Sequence, residues 1–357
     1  MNVRDLPSRA AHAAARPSRA IGKGPAALLA GAAALGAAAL WNTAGARRAE
    51  REHPPSGRFL ELDGVRLHYL ERSARPPVVL LHGNVVSAED YAWSGVLDRV
   101  AERHRVVAID RPGFGHSTRP HGSVWSPAAQ ASLLRRAFAQ LGLDRPVVVG
   151  HSWGTLTALA LALDHRAAVG GLVLLSGYYK PTVRLDVPLV APPAIPVLGD
   201  LMRYTVSPLL GRALLPLNLK VMFAPLPLPE RFRREFPYGF PVRPSQVRAE
   251  SQDAVTMVPA VAAMRQHYHE LRELPVTIMA GTEDQVVGVD GHARWFHGVL
   301  PHSQLRLVPG TGHMFHYTVP EQVADAITAM ADRQRASGEP DLVGTQPTVG
   351  HEDRPAA

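Results

Sequence analysis

Short strand-like runs recur along the middle of the chain, at about 77–81, 105–109, 146–149, 171–175, 275–280 and 303–308. Helical patterns separate them, for example Pro127 to Leu141 and Pro320 to Arg335. Strands alternating with helices predict an α/β fold, a mostly parallel sheet with helices on both faces. Ahead of the first run, Arg58 to Leu62 and Val65 to Tyr69 bracket Asp63-Gly64, a hairpin signal.

The alternation stops for about a hundred residues, 178–274. This segment carries thirteen prolines between 181 and 244, including Pro225-Leu226-Pro227-Leu228-Pro229. Apolar runs such as Leu189-Val190-Ala191 and Leu217 to Phe223 need burial, which predicts a helical cap rather than a disordered linker. Ala249 to Leu274 reads as a helix, bent or broken at Pro259. The core is then assigned to 53–177 and 275–335, and the polar tail 336–357 is expected to be disordered.

Composition adds three bounds. With 357 residues and 46% hydrophobic content the chain can bury one large core plus an insertion. It has no cysteine, which excludes disulfides and thiolate chemistry. Its net charge of +7 is concentrated in residues 1–52, where eight basic side chains oppose three acidic ones. The body is nearly neutral, so no nucleic-acid partner is implied. No zinc spacing or phosphate-cradling glycine motif is present, so no metal or cofactor is expected.

The basic segment 1–23 precedes an apolar, Ala- and Gly-rich run from Gly24 to Trp41. Eighteen uncharged residues at ~1.5 Å each approach the ~30 Å of a bilayer core. Residues 24–46 are therefore expected to be a single-pass membrane anchor. The alternatives are a signal segment cleaved after Ala44-Gly45-Ala46, with export, and a helix lying on the protein or a low-complexity tail. Trp41 suits an interfacial position.

The chemistry concentrates at four strand ends. Pro146-Val147-Val148-Val149 runs into Gly150-His151-Ser152-Trp153-Gly154, followed by a helix-compatible run. A serine on such a tight strand-to-helix turn has its hydroxyl pushed out of the sheet at the positive end of a helix. Leu80-Leu81-His82-Gly83-Asn84 closes another strand, and the backbone N–H of Asn84 can join that of Trp153 as an oxyanion donor. His82 is expected to shape that loop. The strand from Leu274 ends at Gly281-Thr282-Glu283-Asp284, and the last strand ends in Pro309-Gly310-Thr311-Gly312-His313. Glu283 rivals Asp284 as the acid, and His316, His302 and His297 rival His313.

The order Ser152, Asp284, His313 resembles the α/β-hydrolase superfamily over roughly residues 56–332. The resemblance is to its capped branch of epoxide hydrolases, haloalkane dehalogenases, carbon–carbon bond hydrolases and small esterases. Asp110-Arg111-Pro112-Gly113-Phe114-Gly115 resembles the family loop after the fourth strand and reads as a structural turn. The family's frequent His-Gly-x-Pro is here His82-Gly83-Asn84-Val85. Epoxide hydrolases and dehalogenases carry aspartate where this chain has Ser152. A serine attacking an sp³ carbon would leave an unreactive ether, so Ser152 implies attack at an acyl carbon and an acyl-enzyme.

The expected activity is hydrolysis of apolar carboxylic esters. Alternatives on the same triad are carbon–carbon hydrolysis, lactone opening, perhydrolysis, or removal of an N-terminal residue as in proline iminopeptidases. The last would need cap acids for the substrate amine, for which Glu230, Glu235, Glu250 and Asp253 are candidates. A non-catalytic, membrane-tethered binding protein is the reading from another class.

Overall fold

The computed structural model describes residues 23–72, 77–184 and 187–338. The basic segment up to residue 22 and the polar tail from 339 lie outside the described residues.

Eight strands form one sheet in the order β1-β2-β4-β3-β5-β6-β7-β8. They are β1 (Arg58–Leu62), β2 (Val65–Arg72), β3 (Pro77–Leu81), β4 (Arg105–Ile109), β5 (Val147–His151), β6 (Gly171–Leu175), β7 (Val276–Gly281) and β8 (Gln304–Val308). The β1–β2 hairpin is antiparallel and β2 pairs antiparallel with β4; every later pairing is parallel. The strand order reverses between β3 and β5, which lie side by side with Leu81 opposite Gly150. Open α/β sheets place ligands at such a reversal, beyond the carboxyl ends of the strands.

Helix α1 (Lys23–Glu52) precedes the sheet. Helices α2 (Asp90–Trp93) and α3 (Val96–Ala101) follow β3, α4 (Pro127–Gln140) follows β4 and α5 (Gly154–Asp164) follows β5. Five helices fill the insertion between β6 and β7: α6 (Val187–Val190), α7 (Leu198–Tyr204), α8 (Val206–Phe223), α9 (Glu230–Glu235) and α10 (Pro244–Met264). Helix α11 (Trp295–Val299) lies between β7 and β8, and α12 (Pro320–Gly338) closes the fold.

Successive strand side chains point to opposite faces. Val79 and Leu81 of β3 pack with α4 and α5 through Leu134, Phe138 and Leu159. Val78 and Leu80 pack on the other side with Val100 of α3 and Ile327 of α12. Both faces are covered, as a parallel sheet requires.

One expectation needs correction. The helix expected at Ala249–Leu274 begins earlier, at Pro244, where a proline suits the first helical turn because its missing N–H would have no partner. It runs past Pro259 unbroken to Met264, and a 3₁₀ segment, Arg265–Glu273, completes the stretch. The apolar N-terminal run lies in a helix that extends beyond it. Helix α1 continues to Glu52 through good helix formers and an Arg48–Glu52 pair one turn apart at 2.7 Å.

Helix α1 has two different halves. Residues 26–37 are exposed, whereas Asn42 and Ala49 are buried against the insertion. Asn42 Nδ2 donates to the carbonyls of Tyr204 and Thr205 at 2.9 and 2.8 Å, and Glu50 pairs with Arg243 at 3.1 Å.

Candidate active site

Ser152 sits on the turn between β5 and α5 with φ +51°, a left-handed conformation that costs a non-glycine residue energy. The turn is held by the Ser152 N–H donating to Leu175 O at 2.8 Å, and by Thr155 N and Oγ1 donating to Ser152 O. A side chain at Gly150 would come within 2.7 Å of the Gly154 carbonyl, and one at Gly154 would strike the Leu81 carbonyl. The two glycines let the turn close against β3, which sets the hydroxyl at the N-terminus of α5.

His313 and Asp284 are brought together from 29 residues apart: Nδ1 lies 2.8 Å from Oδ2. Both are buried. Burial pushes the Asp284 carboxyl up, but His313 and the N–H groups of Val287 and Val286 outweigh it and hold it below the usual carboxylate range. An ionised Asp284 fixes the Nδ1–H tautomer and leaves His313 Nε2 free to accept a proton. No hydrogen bond joins Ser152 Oγ to His313 among the described residues. Such a bond often tightens only when substrate is bound.

The rivals go elsewhere. Glu283 is exposed and accepts from the Thr282 hydroxyl. His316 Nε2 donates to Asp90 at 2.9 Å, His302 contacts the Leu274 carbonyl, and His297 contacts Ser303.

The loop after β3 adjoins the serine turn. A Cβ on Gly83 would lie 3.0 Å from Ser152 Cβ. Among the described residues neither the Asn84 N–H nor the Trp153 N–H has a partner, so both donors remain available to a ligand. Val85 has φ +73°. A β-branched residue in that region is strained, and such strain clusters at functional sites. Gln246 of α10 donates to the Val85 carbonyl at 3.3 Å.

His82 shapes this loop as expected. Its Nδ1 donates to Gly83 O at 2.6 Å and its Nε2 accepts from the Arg111 N–H at 2.9 Å. Burial, reinforced by Arg111, lowers its pKa to about 4, so the ring is neutral.

The sequence reading missed Arg111. Its guanidinium donates to His82 O, Gly83 O and the Asn84 carboxamide oxygen, and pairs with Asp253 at 2.6 Å. It also lies 4.3 Å over the Trp153 ring, whose Nε1 donates to the Asp253 carbonyl. Arg119 binds the other Asp253 oxygen at 2.9 Å. One residue of α10, Asp253, thus ties these elements together: its carboxylate holds the loops after β3 and β4 through Arg111 and Arg119, and its backbone carbonyl holds the Trp153 ring next to Ser152. The Asp110-Arg111-Pro112-Gly113 turn was visible, but Asp253 lies 142 residues away, in the insertion.

Among the described residues Asp90, His151 and His316 are the group with metal-ligand character, with ligand atoms within 4.8 Å of one another. One nitrogen of each ring is engaged, His316 Nε2 on Asp90 and His151 Nε2 on the His313 carbonyl at 3.1 Å, whereas both Nδ1 atoms are buried with no hydrogen-bond partner among the described residues. Burial and the neighbouring His316 and His313 lower the His151 pKa well below its ordinary value, which favours the neutral ring.

The insertion packs directly on these loops. Leu219, Met222 and Phe223 of α8 share one apolar cluster with Val86 after the Asn84 loop and Met314 beside His313, with Val286 beside Asp284 against it. Met314 N–H donates to Met222 O at 3.2 Å. Trp153 packs with Leu156, Tyr178, Met257 and Val261. The surroundings of the serine turn are therefore strongly apolar.

Residues 76–320 match the model of the alpha/beta hydrolase fold family. The chain belongs to the α/β-hydrolase family. It is 27% identical over 297 residues to an uncharacterised protein of Mycobacterium tuberculosis, covering 78% of this chain and 82% of that one. It is 28% identical over 263 residues to a 2-hydroxy-6-oxo-2,4-heptadienoate hydrolase of Pseudomonas putida, covering 72% and 89%. An esterase from Exiguobacterium antarcticum shares the fold with a TM-score of 0.61 at 21% identity, covering 77% of this chain and 99% of the esterase.

Proposed function

We propose that this α/β hydrolase is a serine hydrolase that cleaves apolar carboxylic esters through an acyl-enzyme. The observation that carries the reading is a strained serine, Ser152, at the start of α5, on the sheet edge that also holds a buried His313–Asp284 pair. His313 Nε2 takes the Ser152 proton as Oγ attacks the acyl carbon. Asp284 holds the ring and stabilises the imidazolium. The Asn84 and Trp153 N–H groups receive the oxyanion, each contributing roughly 3–4 kcal/mol. Protonated His313 then gives its proton to the leaving alcohol, and water attacks the acyl-enzyme with His313 as base.

The iminopeptidase-like alternative is disfavoured by the insertion's acids. Asp253 is occupied by two arginines, Glu230 is exposed, and Glu235 pairs with Arg234. Glu250 accepts from Gln246, and burial pushes its carboxyl up to about 7, a poor counter-ion for an amine. Carbon–carbon hydrolysis, the activity in the name of one relative, remains the second reading because it needs the same triad.

A fluorophosphonate probe should label the protein, and Ser152→Ala should abolish labelling. Surviving label would sink the nucleophile. A panel of p-nitrophenyl esters, aminoacyl anilides and vinylogous diketones separates the chemistries.

Residues 178–274 are read as a cap that covers the site, and α1 as a membrane anchor. Support for the anchor is its exposed first half, with a mean hydropathy of 1.4 over its apolar window. Cleavage after Ala46 would cut α1 between Asn42 and Ala49, both docked on the insertion, which favours retention over export. The native protein should therefore sediment with membranes and resist carbonate extraction. A mature N-terminus at Arg47 would overturn this in favour of a signal peptide.

A further inference from the structure

Large apolar side chains on the surface are unevenly distributed. Thirteen exposed ones fall between 183 and 217 and five on α1, leaving five on all the other described residues. Helix α8 explains part of this. Its buried stripe is Pro208, Leu215, Leu219 and Met222. Its opposite stripe, Val206, Leu210, Leu214 and Leu217, recurs at helical spacing and is also apolar, yet stands 41–59% exposed. A helix that is apolar all round belongs in a core or in lipid. Helix α7 repeats the pattern with Leu198, Leu201 and Tyr204, and Val197 before it is 81% exposed.

This face adjoins the place where α1 leaves the body. Asn42 is held by the carbonyls of Tyr204 and Thr205, at the junction of α7 and α8, and by Arg212 of α8 at 2.7 Å. The residues just before it, Leu40 and Trp41, are 75% and 70% exposed. Two separate segments thus converge on one apolar region. From 187 to 217 the charged residues are Asp200, Arg203 and Arg212. Asp200 pairs with Arg203 at 2.8 Å, and Arg212 is taken by Asn42.

We propose that the outer face of α7 and α8 is a bilayer-contact surface that continues the apolar half of α1. The inference rests on reading α1 as the membrane segment. Because α1 is one continuous helix docked on the insertion, its apolar half carries the α7–α8 face toward the same lipid surface. The second contact lays the insertion on the lipid, with Trp41 at the interface where its amphipathic ring is favoured.

The natural chain has no cysteine, so single cysteines report without background. Full-length Leu35→Cys, Leu210→Cys and Val299→Cys would each carry an environment-sensitive dye and be reconstituted into phosphatidylcholine–phosphatidylglycerol vesicles with doxyl-labelled lipid. Several-fold quenching is expected at positions 35 and 210 and none at the α11 position 299. Quenching at 35 without 210 overturns the surface and leaves the anchor. Quenching at neither overturns both. A dye shift at 210 that grows with protein concentration without lipid assigns the face to a second copy of the chain and also overturns the proposal.

Discussion

Arg111 Nη2 donates to the Asn84 carboxamide oxygen at 2.6 Å, and so sets the orientation of a side chain at the rim of the serine turn. With its oxygen engaged, the amide has only its NH2 end left to offer, and that end has no acceptor among the described residues.

This orientation separates two substitutions of one residue. Asn84→Ala removes the side chain but keeps the backbone N–H, and kcat on a good ester should fall less than about tenfold. Asn84→Asp keeps the shape and the Arg111 contact but exchanges the donor for a negative oxygen. The loss there should be roughly 100-fold, since charge repels the oxyanion that the site must hold. Equal losses in both would move the donor from backbone to side chain.

Arg111 itself is structural as well as orienting. Both it and Asp253 are buried, and Arg111→Met would leave Asp253 with Arg119 and Gln130. Removing one partner of a buried ion pair costs about 3–5 kcal/mol when the other charge is left uncompensated, so with Arg119 retained the loss should fall below that range. Urea denaturation should register that loss. A variant as stable as the parent would mean the network contributes nothing net.

Glu283 and Asp284 follow the same strand, yet one is exposed and the other buried against His313. Asp284→Asn should lower kcat about 10⁴-fold, as loss of the correct tautomer does in a serine-protease triad. Glu283→Gln should keep most activity. The reverse ranking would move the acid to Glu283.

The strands were legible because each is a short apolar run with a turn signal after it, and the sheet follows from their alternation with helices. Ser152, Asp284 and His313 were legible because each falls just past a strand, behind a glycine whose missing side chain the packing needs. The Arg111–Asp253 tie was not, because no local pattern says which insertion acid meets which core arginine. Nor was the docked half of α1. Asn42 and Ala49 look like an ordinary continuation of an Ala-rich helix until Tyr204 and Thr205 are placed beside the first and Gly239 beside the second. The unbroken α10 at Pro259 shows tertiary packing overriding a local helix breaker.

Stability should fall on the acid side through buried imidazoles. His82 has a folded pKa of about 4 against 6.5 unfolded, because burial and Arg111 oppose its charge. The unfolded chain therefore binds the proton first. Stability is fully present above about 6.5 and declines as pH falls toward about 4, by ~3 kcal/mol from this one group. His82→Gln can keep the acceptor for the Arg111 N–H while removing the titration. Its urea midpoint should change less between these limits than the parent's. A parent curve flat over this window would refute the assignment of a buried neutral ring.

His313 and His316 are three residues apart and both bind a buried carboxylate, so sequence spacing alone does not separate them. Their surroundings do. His313 pairs with Asp284, on the loop after the neighbouring strand β7, and packs on His151, the residue before Ser152, at 5.0 Å between rings. His316 pairs with Asp90, which also accepts from the Tyr317 hydroxyl at 2.6 Å, and its ring lies 4.7 Å from that of His151, so it is the carboxylate partner and not the His151 contact that separates the two. A general base needs one nitrogen turned to the nucleophile, whereas a strut needs only its partner. His313→Gln should therefore lower kcat by a factor on the order of 10⁶, comparable to losing Ser152, because the two act as one unit. His316→Gln can still donate to Asp90 and should lower thermal stability while retaining fluorophosphonate labelling of Ser152. Should His316→Gln lose labelling while still folded by circular dichroism, and His313→Gln retain it, the base would be His316.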